Sequence, residues 1–499
     1  MHDVADHHHA ALNRRSFLAA GLAATGAAAL ASGATSRAGA RALLPATAND
    51  RGRAKNIIFL VADGMSSGTL QLADTIGPSL PRFAHGSKWI ELHQHAGAHG
   101  RGSATDNPIG GTGVYRSLQM THSRNALVTD SAAAGSAWGS GVHIDNGSIN
   151  FLPERDATQP VPLFTTLADS DVRKATGLVT TTRVTHATPA AFVAAVPSRG
   201  MEGEVAQQIL DRGVDIVLGG GRRLFTDDML AKHDDIMLCE TRDQMNAAAD
   251  HDGRILGLFQ REHCSFEIDR HHLTADTEPT LAEMSRFAIE QLAKRSEGFV
   301  LQIEGGRIDH AAHGNDAPSL IWDQLAFEEA IAEAVEFAAD RDDTLVIITT
   351  DHANANPGLT LYGPDGTNRF NTLRRATRSQ SWVTDQIDGS ADPEEQAETF
   401  AELVKQATAV ELSEADREWV KRVLVDKEPG DAFVAAGGFA SLYGAVLANH
   451  SGVAFLSPNH TADYVETTAF GPGAERLGPL IDNIDLHTLM IEMLGVSAT

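Results

Sequence analysis

Residues 56–65 of this 499-residue chain, Asn-Ile-Ile-Phe-Leu-Val-Ala-Asp-Gly-Met, are the stretch that decides the fold. Six of the first seven residues are apolar, and the run lies between Lys55 and Asp63. A continuous apolar run of this length predicts a strand that is buried on both faces, as in a parallel sheet. Parallel α/β sheets bind ligands at the carboxyl ends of their strands. Asp63 therefore stands at a candidate site position, either as a helix cap or as a metal ligand.

The same pattern recurs along the chain. Further apolar runs predict strands at 175–182, 214–218, 299–303 and 344–350. Amphipathic segments between them, such as 280–292, predict helices. Strands that alternate with helices predict an α/β fold with a central, mostly parallel sheet flanked by helices. The weakly patterned stretch 77–124 is expected to be irregular, and the stretch 357–456, with a helical segment at 394–425, is expected to form an insertion lobe.

The first forty residues predict an export signal. Residues 13–18, Asn-Arg-Arg-Ser-Phe-Leu, match a twin-arginine pattern, an apolar Ala/Gly-rich run extends from Phe17 to Gly33, and residues 38–40, Ala-Gly-Ala, offer a cleavage site. The alternative is a membrane anchor, but the glycines within the run make it less apolar than a spanning helix. We therefore expect a signal peptide at 1–40, a mature chain at 41–499, and a periplasmic or secreted protein.

The chain is strongly acidic, with 66 Asp and Glu residues against 40 Lys and Arg residues and a formal net charge of −26. This charge disfavours nucleic acid and anionic membranes as partners, because proteins bind both through basic residues that neutralise their negative charges. The two cysteines, Cys239 and Cys264, are either a disulfide in an oxidising compartment or two buried free thiols. Neither lies in a CxxC motif, so thiolate metal binding and redox catalysis are disfavoured.

A candidate nucleophile lies in residues 127–137, Leu-Val-Thr-Asp-Ser-Ala-Ala-Ala-Gly-Ser-Ala. The alanines favour a helix, which would place Ser131 in its first turn. The unpaired N–H groups and the positive dipole at that end suit an anion and a hydroxyl that is about to lose its proton. The alternative is that Asp130 and Ser131 only cap the helix.

Candidate metal ligands follow several of the predicted strands. They are the carboxylates and imidazoles of Asp63, Glu304, Asp309, His313, Asp351, His352 and His460. Asp309 and His313 are four residues apart, so on a helix they share a face and can bind one ion. Oxygen and imidazole ligands without thiolate suit catalytic zinc, with room for a harder ion such as Mg²⁺. About six such ligands would serve two zinc ions roughly 4 Å apart, an arrangement used in phosphoryl transfer.

These residues resemble the alkaline phosphatase family. The resemblance rests on motifs that occur in the family's order: Asp63-Gly64-Met65, residues 129–133, His186 to Ala190 with Ser198-Arg199, Glu304 to His313, Thr350 to His352, and Asn459 to Thr461. These short motifs are distributed over most of the chain from Asn56 onward. The resemblance implies that family's α/β fold and metal-dependent hydrolysis of phosphate monoesters through a phosphoserine intermediate.

The resemblance also implies a role for each candidate residue. Ser131 would be the nucleophile, Asp130 would orient Arg199, and Arg199 would bind the phosphate oxygens. Two Zn²⁺ ions would be held by two ligand sets, one of Asp309, His313 and His460 and the other, beside the serine, of Asp63, Asp351 and His352. One Mg²⁺ would be held by Asp63, Glu304, Thr188 and His186. His186 stands where members of the family carry an acidic residue or histidine, and His310 stands where others carry lysine or histidine.

The sequence leaves two alternatives open. One is a phosphodiesterase or sulfatase of the same superfamily, against which Arg199 and the third-ion ligands argue. The other is a non-catalytic exported protein that binds phosphate or zinc, against which Ser131 beside a full ligand set argues. The expected partners are small-molecule phosphate monoesters, and the lobe at 357–456 is a candidate homodimer contact or lid.

Overall fold

The computed structural model of the protein describes residues 43–44, 53–83, 87–95, 113–154, 158–426 and 439–496, so the signal peptide expected at 1–40 lies outside the described residues. The described strands are β1 (Asn56–Val61), β2 (Tyr115–Met120), β3 (Ala175–Arg183), β4 (Ile216–Gly220), β5 (Ile236–Cys239), β6 (Arg254–Gln260), β7 (Phe299–Glu304), β8 (Thr344–Thr349), β9 (Ala353–Asn354), β10 (Gly358–Leu359), β11 (Val453–Ala454), β12 (His460–Thr461), β13 (Val465–Phe470) and β14 (Leu480–Asp482).

The described α-helices are α1 (Ser67–Ile76), α2 (Lys88–His95), α3 (Ser131–Ser140), α4 (Leu163–Asp169), α5 (Ala187–Val193), α6 (Glu202–Asp211), α7 (Asp227–Leu230), α8 (Arg242–Ala247), α9 (Glu267–Asp269), α10 (Leu281–Ala293), α11 (Arg307–His313), α12 (Ala317–Ala338), α13 (Gly363–Phe370), α14 (Gln380–Thr384), α15 (Pro393–Thr408), α16 (Glu414–Asp426), α17 (Phe439–Ser451) and α18 (Asn483–Leu494). Short 3₁₀ turns lie at Gly77–Ser79, Pro81–Phe83, Arg222–Leu224, Ala248–Asp250, Asn371–Arg375 and Ala474–Arg476, and a π-helical turn lies at Arg270–Thr274.

Ten of the described strands form one sheet, in the order β14-β2-β13-β8-β1-β7-β3-β4-β6-β5. Strand β1 lies between β7 and β8 and is parallel to both. Strand β13 is antiparallel to its neighbours β2 and β8, and the other neighbouring pairs are parallel. The sequence-based expectation of an α/β fold with a central, mostly parallel sheet is confirmed.

The side chains of β1 explain why its sequence is apolar throughout. Ile58 and Leu60 point into a core that they share with α1, α10 and α12. Phe59 and Val61 point into the opposite core, which includes side chains of α5, α6 and α18. Because side chains alternate along a strand and both faces are covered by helices, each residue of β1 from Asn56 to Val61 is buried.

The prediction that the stretch 77–124 is irregular is wrong for residues 88–95 and 115–120. Residues Lys88–His95 form α2, and Tyr115–Met120 form β2, which lies inside the sheet between β14 and β13. The burial of β2 alternates along its length, and Arg116 and Leu118 are exposed. The strand therefore has no continuous apolar run, which is the signal that identified the other strands.

The expected lobe has a core of its own, but that core begins later than residue 357. Side chains from Val383 to Leu447, contributed mainly by α15 and α17, form a separate apolar cluster. Phe370 and Leu373, in contrast, pack into the main core beside the sheet. Strands β10 and β11, which pair with each other, lie near the two ends of the insertion.

Both cysteines, Cys239 and Cys264, are buried free thiols. Burial raises the pKa of the Cys239 thiol to about 11. Of the two states that the sequence left open, the structure therefore has the pair of free thiols. Among the described residues, no helix is both long enough and apolar enough to cross a membrane.

Candidate active site

The candidate site lies at the carboxyl edge of the three central strands. Asp63 follows β1, Glu304 is the last residue of β7, and Asp351 and His352 follow β8. Because β7, β1 and β8 are parallel neighbours, their ends bring these four side chains together. All four are completely buried. The backbone fixes the arrangement, since the Gly64 N–H donates a hydrogen bond to Asp351 Oδ1 at 2.9 Å.

Ser131 is the first residue of α3, and its hydroxyl faces this cluster. Asp130 is the helix N-cap, and its Oδ1 accepts a hydrogen bond from the Ala133 N–H at 3.0 Å. The Ser131 Oγ lies 3.3 Å from His352 Nε2, and only 2% of the serine is exposed. The hydroxyl is therefore at a helix N-terminus, where the backbone favours negative charge, and next to a candidate ligand.

Two glycines in α3 let it lie very close to α5. A Cβ at Gly139 would come within 2.0 Å of the Ala191 carbonyl oxygen, and a Cβ at Gly135 would come within 2.9 Å of the Ala191 Cβ. Helix α5 carries Thr188, another predicted ligand. The close contact therefore fixes the nucleophile helix against an element that supplies part of the site.

Asp130 also positions Arg199. The Arg199 Nη1 donates to Asp130 Oδ2 at 3.1 Å, and the same carboxylate oxygen accepts from the Gly147 N–H at 3.0 Å. The Arg199 backbone N–H donates to the Gly147 carbonyl at 2.7 Å. Arg199 Nη2 lies 3.0 Å from His186 Nε2. The guanidinium is thus held beside the nucleophile, with about a third of its side chain exposed to receive an anion.

One predicted ligand set consists of Asp309, His313 and His460. His313 Nε2 is 3.4 Å from Asp309 Oδ2, His460 Nε2 is 3.5 Å from Asp309 Oδ1, and the two Nε2 atoms are 3.0 Å apart. Each Nδ1 lies at hydrogen-bond distance from a backbone carbonyl, that of Pro458 at 2.6 Å and that of Thr129 at 2.9 Å. A carbonyl can only accept, so each Nδ1 carries a proton, and Nε2 is the atom of each ring that can bind a metal ion. Two Nε2 atoms at this distance fit a cation between them.

The second predicted set consists of Asp63, Asp351 and His352. His352 Nε2 lies 3.0 Å from Asp351 Oδ2 and 3.7 Å from Asp63 Oδ1. Both carboxylate oxygens of Asp63 and the Oδ2 of Asp351 are buried and have no hydrogen-bond partner within the described ranges. Buried carboxylate oxygens without donors are costly, and a metal ion satisfies them. The residues of this set therefore fit a cation.

The third predicted set brings together Asp63, His186 and Glu304, whose ligand atoms lie within 4.8 Å of one another. Glu304 Oε2 accepts hydrogen bonds from the hydroxyls of Thr180 and Thr182, which the sequence did not single out. Among the described residues, the Glu304 Oε1 has no hydrogen-bond partner. The buried hydroxyl of Thr188, which α5 places next to Glu304, has no well-aligned partner in that part of the chain either. Free oxygens of this kind fit a hard cation such as Mg²⁺.

The charges of the cluster also favour cations. Burial and then the neighbouring carboxylates of Asp351, Asp309 and Glu304 raise the pKa of Asp63 well above its usual value. Burial raises the pKa of Glu304 to about 7, although hydrogen bonds from threonine hydroxyls oppose that rise. Burial lowers the pKa of His460, but the hydrogen bond and the charge of Asp309 reverse this and raise it to about 9. The site is therefore short of positive charge.

Besides Thr180 and Thr182, the sequence analysis missed two further groups at the site. The His263 ring lies 5.5 Å from that of His186 and 4.4 Å from that of His310, between centroids. Asn354 Nδ2 donates to Asp309 Oδ1 at 2.7 Å and so orients a predicted ligand. Asn354 stands three residues after Asp351, a strand-end position that could have identified it. No pattern in the sequence marks His263.

Comparison with known proteins agrees with this geometry. The family model for alkaline phosphatase matches residues 111–496. The chain belongs to the alkaline phosphatase family. It is 30% identical to alkaline phosphatase 3 of Bacillus subtilis over 370 residues, which cover 72% of this chain and 75% of that protein. It is 28% identical to the alkaline phosphatase of Escherichia coli over 404 residues, 70% of this chain and 80% of that one.

A solved alkaline phosphatase from Thermus thermophilus has the same fold. It matches with a TM-score of 0.76 and 30% identity, over 90% of this chain and 93% of that one. As a member of this family, the chain is an enzyme that hydrolyses phosphate esters. The sequence-based expectations of the family and of the enzyme class are confirmed.

Proposed function

We propose that this protein hydrolyses phosphate monoesters through a phosphoserine formed on Ser131, with two Zn²⁺ ions and one Mg²⁺ ion as cofactors. The observation that carries the proposal is the position of the Ser131 Oγ, 3.3 Å from His352 Nε2 and at the N-terminus of α3. The hydroxyl is buried beside an imidazole and near carboxylate oxygens that accept no hydrogen bond from the described residues. This environment suits the role of a nucleophile better than that of a helix cap. Asp130 already performs the capping.

The donor sets support the choice of ions. Asp309, His313 and His460 would hold one zinc ion, and Asp63, Asp351 and His352 would hold the other, since mixed imidazole and carboxylate ligands suit zinc. Asp63, Glu304 and Thr188, with His186 alongside, would hold magnesium. When bound, these cations stabilise negative charge on the attacking and leaving oxygens of phosphoryl transfer.

The protein's own residues account for binding and positioning. Arg199 binds two non-bridging phosphate oxygens with its fork of N–H donors, and Asp130 holds that fork in place. The Ser131 Oγ attacks phosphorus, the ester P–O bond breaks, and the alcohol leaves. Water then hydrolyses the phosphoserine and releases inorganic phosphate. The N–H groups in the first turn of α3 lie where negative charge develops during both steps.

Replacement of the nucleophile tests the proposal. In the metal-loaded enzyme, Ser131→Ala should lower kcat for p-nitrophenyl phosphate by more than about 10³-fold, because no oxygen remains to accept the phosphoryl group. The matched control is Ser140→Ala in the same helix, whose hydroxyl only bonds the Ser136 carbonyl and which should keep wild-type turnover. Near-native turnover by Ser131→Ala would refute the phosphoserine route.

Comparison of ester classes tests the substrate assignment. A phosphate monoester has three non-bridging oxygens, so one remains for a cation when two bind Arg199, whereas a diester has only two because its second alcohol takes the third position. We expect kcat/KM for p-nitrophenyl phosphate to exceed that for bis-p-nitrophenyl phosphate by more than about 10²-fold. A preference for the diester, or for p-nitrophenyl sulfate, would replace the monoester assignment.

A further inference from the structure

A second group of ligand-type side chains lies away from the active site. His122 follows β2, His143 follows α3, and Asp482 ends β14. One potential ligand atom from each of the three lies within 4.8 Å of the others. The two imidazole rings are 4.5 Å apart between centroids, and His143 Nε2 is 3.0 Å from Asp482 Oδ1.

The contacts of this group are poorly explained by hydrogen bonding alone. In the part of the chain that the structure describes, the buried Asp482 Oδ1 has no well-aligned hydrogen-bond donor in spite of its short distance to His143. The buried Nδ1 of His143 has no partner among those residues either. The Asp482 carboxylate therefore lies against both imidazoles.

The spacing matches that of metal ligands. Zinc bonds of about 2.0–2.1 Å at tetrahedral angles place two ligand atoms about 3.3 Å apart. The distance from His143 Nε2 to Asp482 Oδ1 is 3.0 Å, the same as from His352 Nε2 to Asp351 Oδ2 in the active site. About a fifth of each of the side chains of His143 and Asp482 is exposed, so an ion and a fourth ligand from water can reach them.

We propose that His122, His143 and Asp482 form a separate site for a divalent transition-metal ion, with zinc as the ion that fits best. Two imidazoles and one carboxylate favour zinc over Mg²⁺ and Ca²⁺, which prefer oxygen ligands. The site joins three elements that are far apart in sequence. It lies just beyond the C-terminal end of α3, while Ser131 lies at the N-terminal end, about 15 Å away along a ten-residue helix.

This placement gives the ion a structural role. Strands β14 and β2 are parallel neighbours at the edge of the sheet, with Asp482 opposite Met120. An ion held by His122, His143 and Asp482 ties that edge to the loop that follows the nucleophile helix. Because the ligands lie beyond the end of α3 opposite to Ser131, the ion should stabilise the fold without taking part in the reaction.

Metal analysis of the full enzyme tests the proposal. The enzyme is saturated with Zn²⁺ and Mg²⁺, freed of unbound metal, and analysed by mass spectrometry for bound zinc. Asp482→Asn should bind about one zinc equivalent less than the wild type, since it removes the charged ligand. Asparagine is a good N-cap residue, so this change keeps the start of α18 intact. His143→Gln should show the same loss and guards against a folding defect in one variant.

A matched control separates this site from incidental histidine–carboxylate pairs. His450 Nε2 lies 3.1 Å from Asp416 Oδ2 in the lobe. Among the described residues, no second imidazole joins this pair to form a cluster that could bind a metal ion. His450→Gln should keep the wild-type zinc content. All three variants should hydrolyse p-nitrophenyl phosphate at the wild-type rate, and added Zn²⁺ should raise Tm less in Asp482→Asn and His143→Gln than in the wild type. Equal zinc content and equal Tm shifts in all four proteins would overturn the proposal.

Discussion

At the scale of single residues, Asp130 connects the fold to the reaction. Its Oδ1 caps α3 through Ala133, and its Oδ2 accepts hydrogen bonds from Gly147 and Arg199. The start of the nucleophile helix and the direction of the arginine therefore depend on one carboxylate. A substitution that preserves one of these roles and removes the other can separate stability from activity.

We predict that Asp130→Asn keeps the cap but loses both contacts of Oδ2, with Arg199 and with the Gly147 N–H, because an amide nitrogen cannot accept a hydrogen bond. Its unfolding free energy should therefore fall less than that of Asp130→Ala, which also loses a cap worth about 1 kcal/mol. Because the arginine is less well held, kcat/KM for p-nitrophenyl phosphate should fall by about 10- to 100-fold in both variants. Urea unfolding and steady-state kinetics measure the two effects. Wild-type kcat/KM in Asp130→Asn would contradict the role given to the pair.

Sequence reasoning named the residues of the site whose chemistry is distinctive and whose position follows a strand. Asp63, Asp351 and His352 are such residues, and the structure brings them together with Ser131. Thr180 lies inside a strand, where threonine is common for its shape alone, so its hydrogen bond to Glu304 has no signature. His263 meets the site through the packing of distant loops, which no local pattern encodes.

At the scale of elements, the contact between α3 and α5 decides where the nucleophile lies. We predict that Gly139→Ala destabilises the protein by about 1–3 kcal/mol, although alanine favours a helix, because the new methyl group would overlap the Ala191 carbonyl oxygen. The shift of α3 should also lower kcat. Urea unfolding and turnover measure both effects.

The matched control is another helical glycine. A Cβ at Gly203 in α6 meets nothing within 4 Å, and the residue is exposed. Gly203→Ala should therefore stabilise the protein by about 0.5–1 kcal/mol, since the loss of backbone freedom on folding is smaller for alanine. A stable, fully active Gly139→Ala variant would show that the helix contact is looser than described.

The central strands could be predicted because each is buried on both faces and therefore continuously apolar, as in β1, β7 and β8. Strand β2 could not, because its burial alternates and its pairing with β13 joins residues more than three hundred positions apart. The two-residue strand β12 is too short for any periodicity, yet it holds His460 beside β9. Tertiary contacts, not local preference, create both elements.

At the scale of the whole molecule, stability should depend on the metal ions and on pH together. In the metal-free protein the folded-state pKa of Glu304 is about 7, above its ordinary value of 4.5. This group therefore favours the folded state fully below about pH 4.5, and that contribution is lost as the pH rises through 7. We predict that the chelated protein loses roughly 2.5 kcal/mol of stability between pH 5 and pH 8 through this residue.

Urea unfolding of the chelated protein at both pH values measures this loss. The unfolding free energy of chelated Glu304→Gln should fall less between the two pH values than that of the chelated wild type. Because the other buried carboxyls titrate in both proteins, the difference between the two falls gives the contribution of Glu304. The metal-loaded wild type should not show this part of the fall, because cations stabilise the ionised carboxylate. Identical pH dependence of the chelated wild type and of Glu304→Gln would contradict the assignment.

We also propose that the enzyme acts outside the cytoplasm, where its N-terminal signal would direct it. Replacement of Arg14 and Arg15 by lysine should retain the precursor and its phosphatase activity in the cytoplasmic fraction, because the paired arginines are the recognised feature. Arg37→Lys, within the same forty residues, should be exported normally. Periplasmic activity of the Arg14/Arg15 variant would rule out the twin-arginine route.

The position of β1 in the middle of the sheet has a consequence for biosynthesis. Both of its partners, β7 and β8, lie more than two hundred residues further along the chain. At about 5–20 residues per second, a ribosome needs on the order of tens of seconds to supply them. During that time one of the most apolar segments of the nascent chain has no strand to pair with. We therefore expect the emerging polypeptide to depend on chaperones until β8 has left the ribosome.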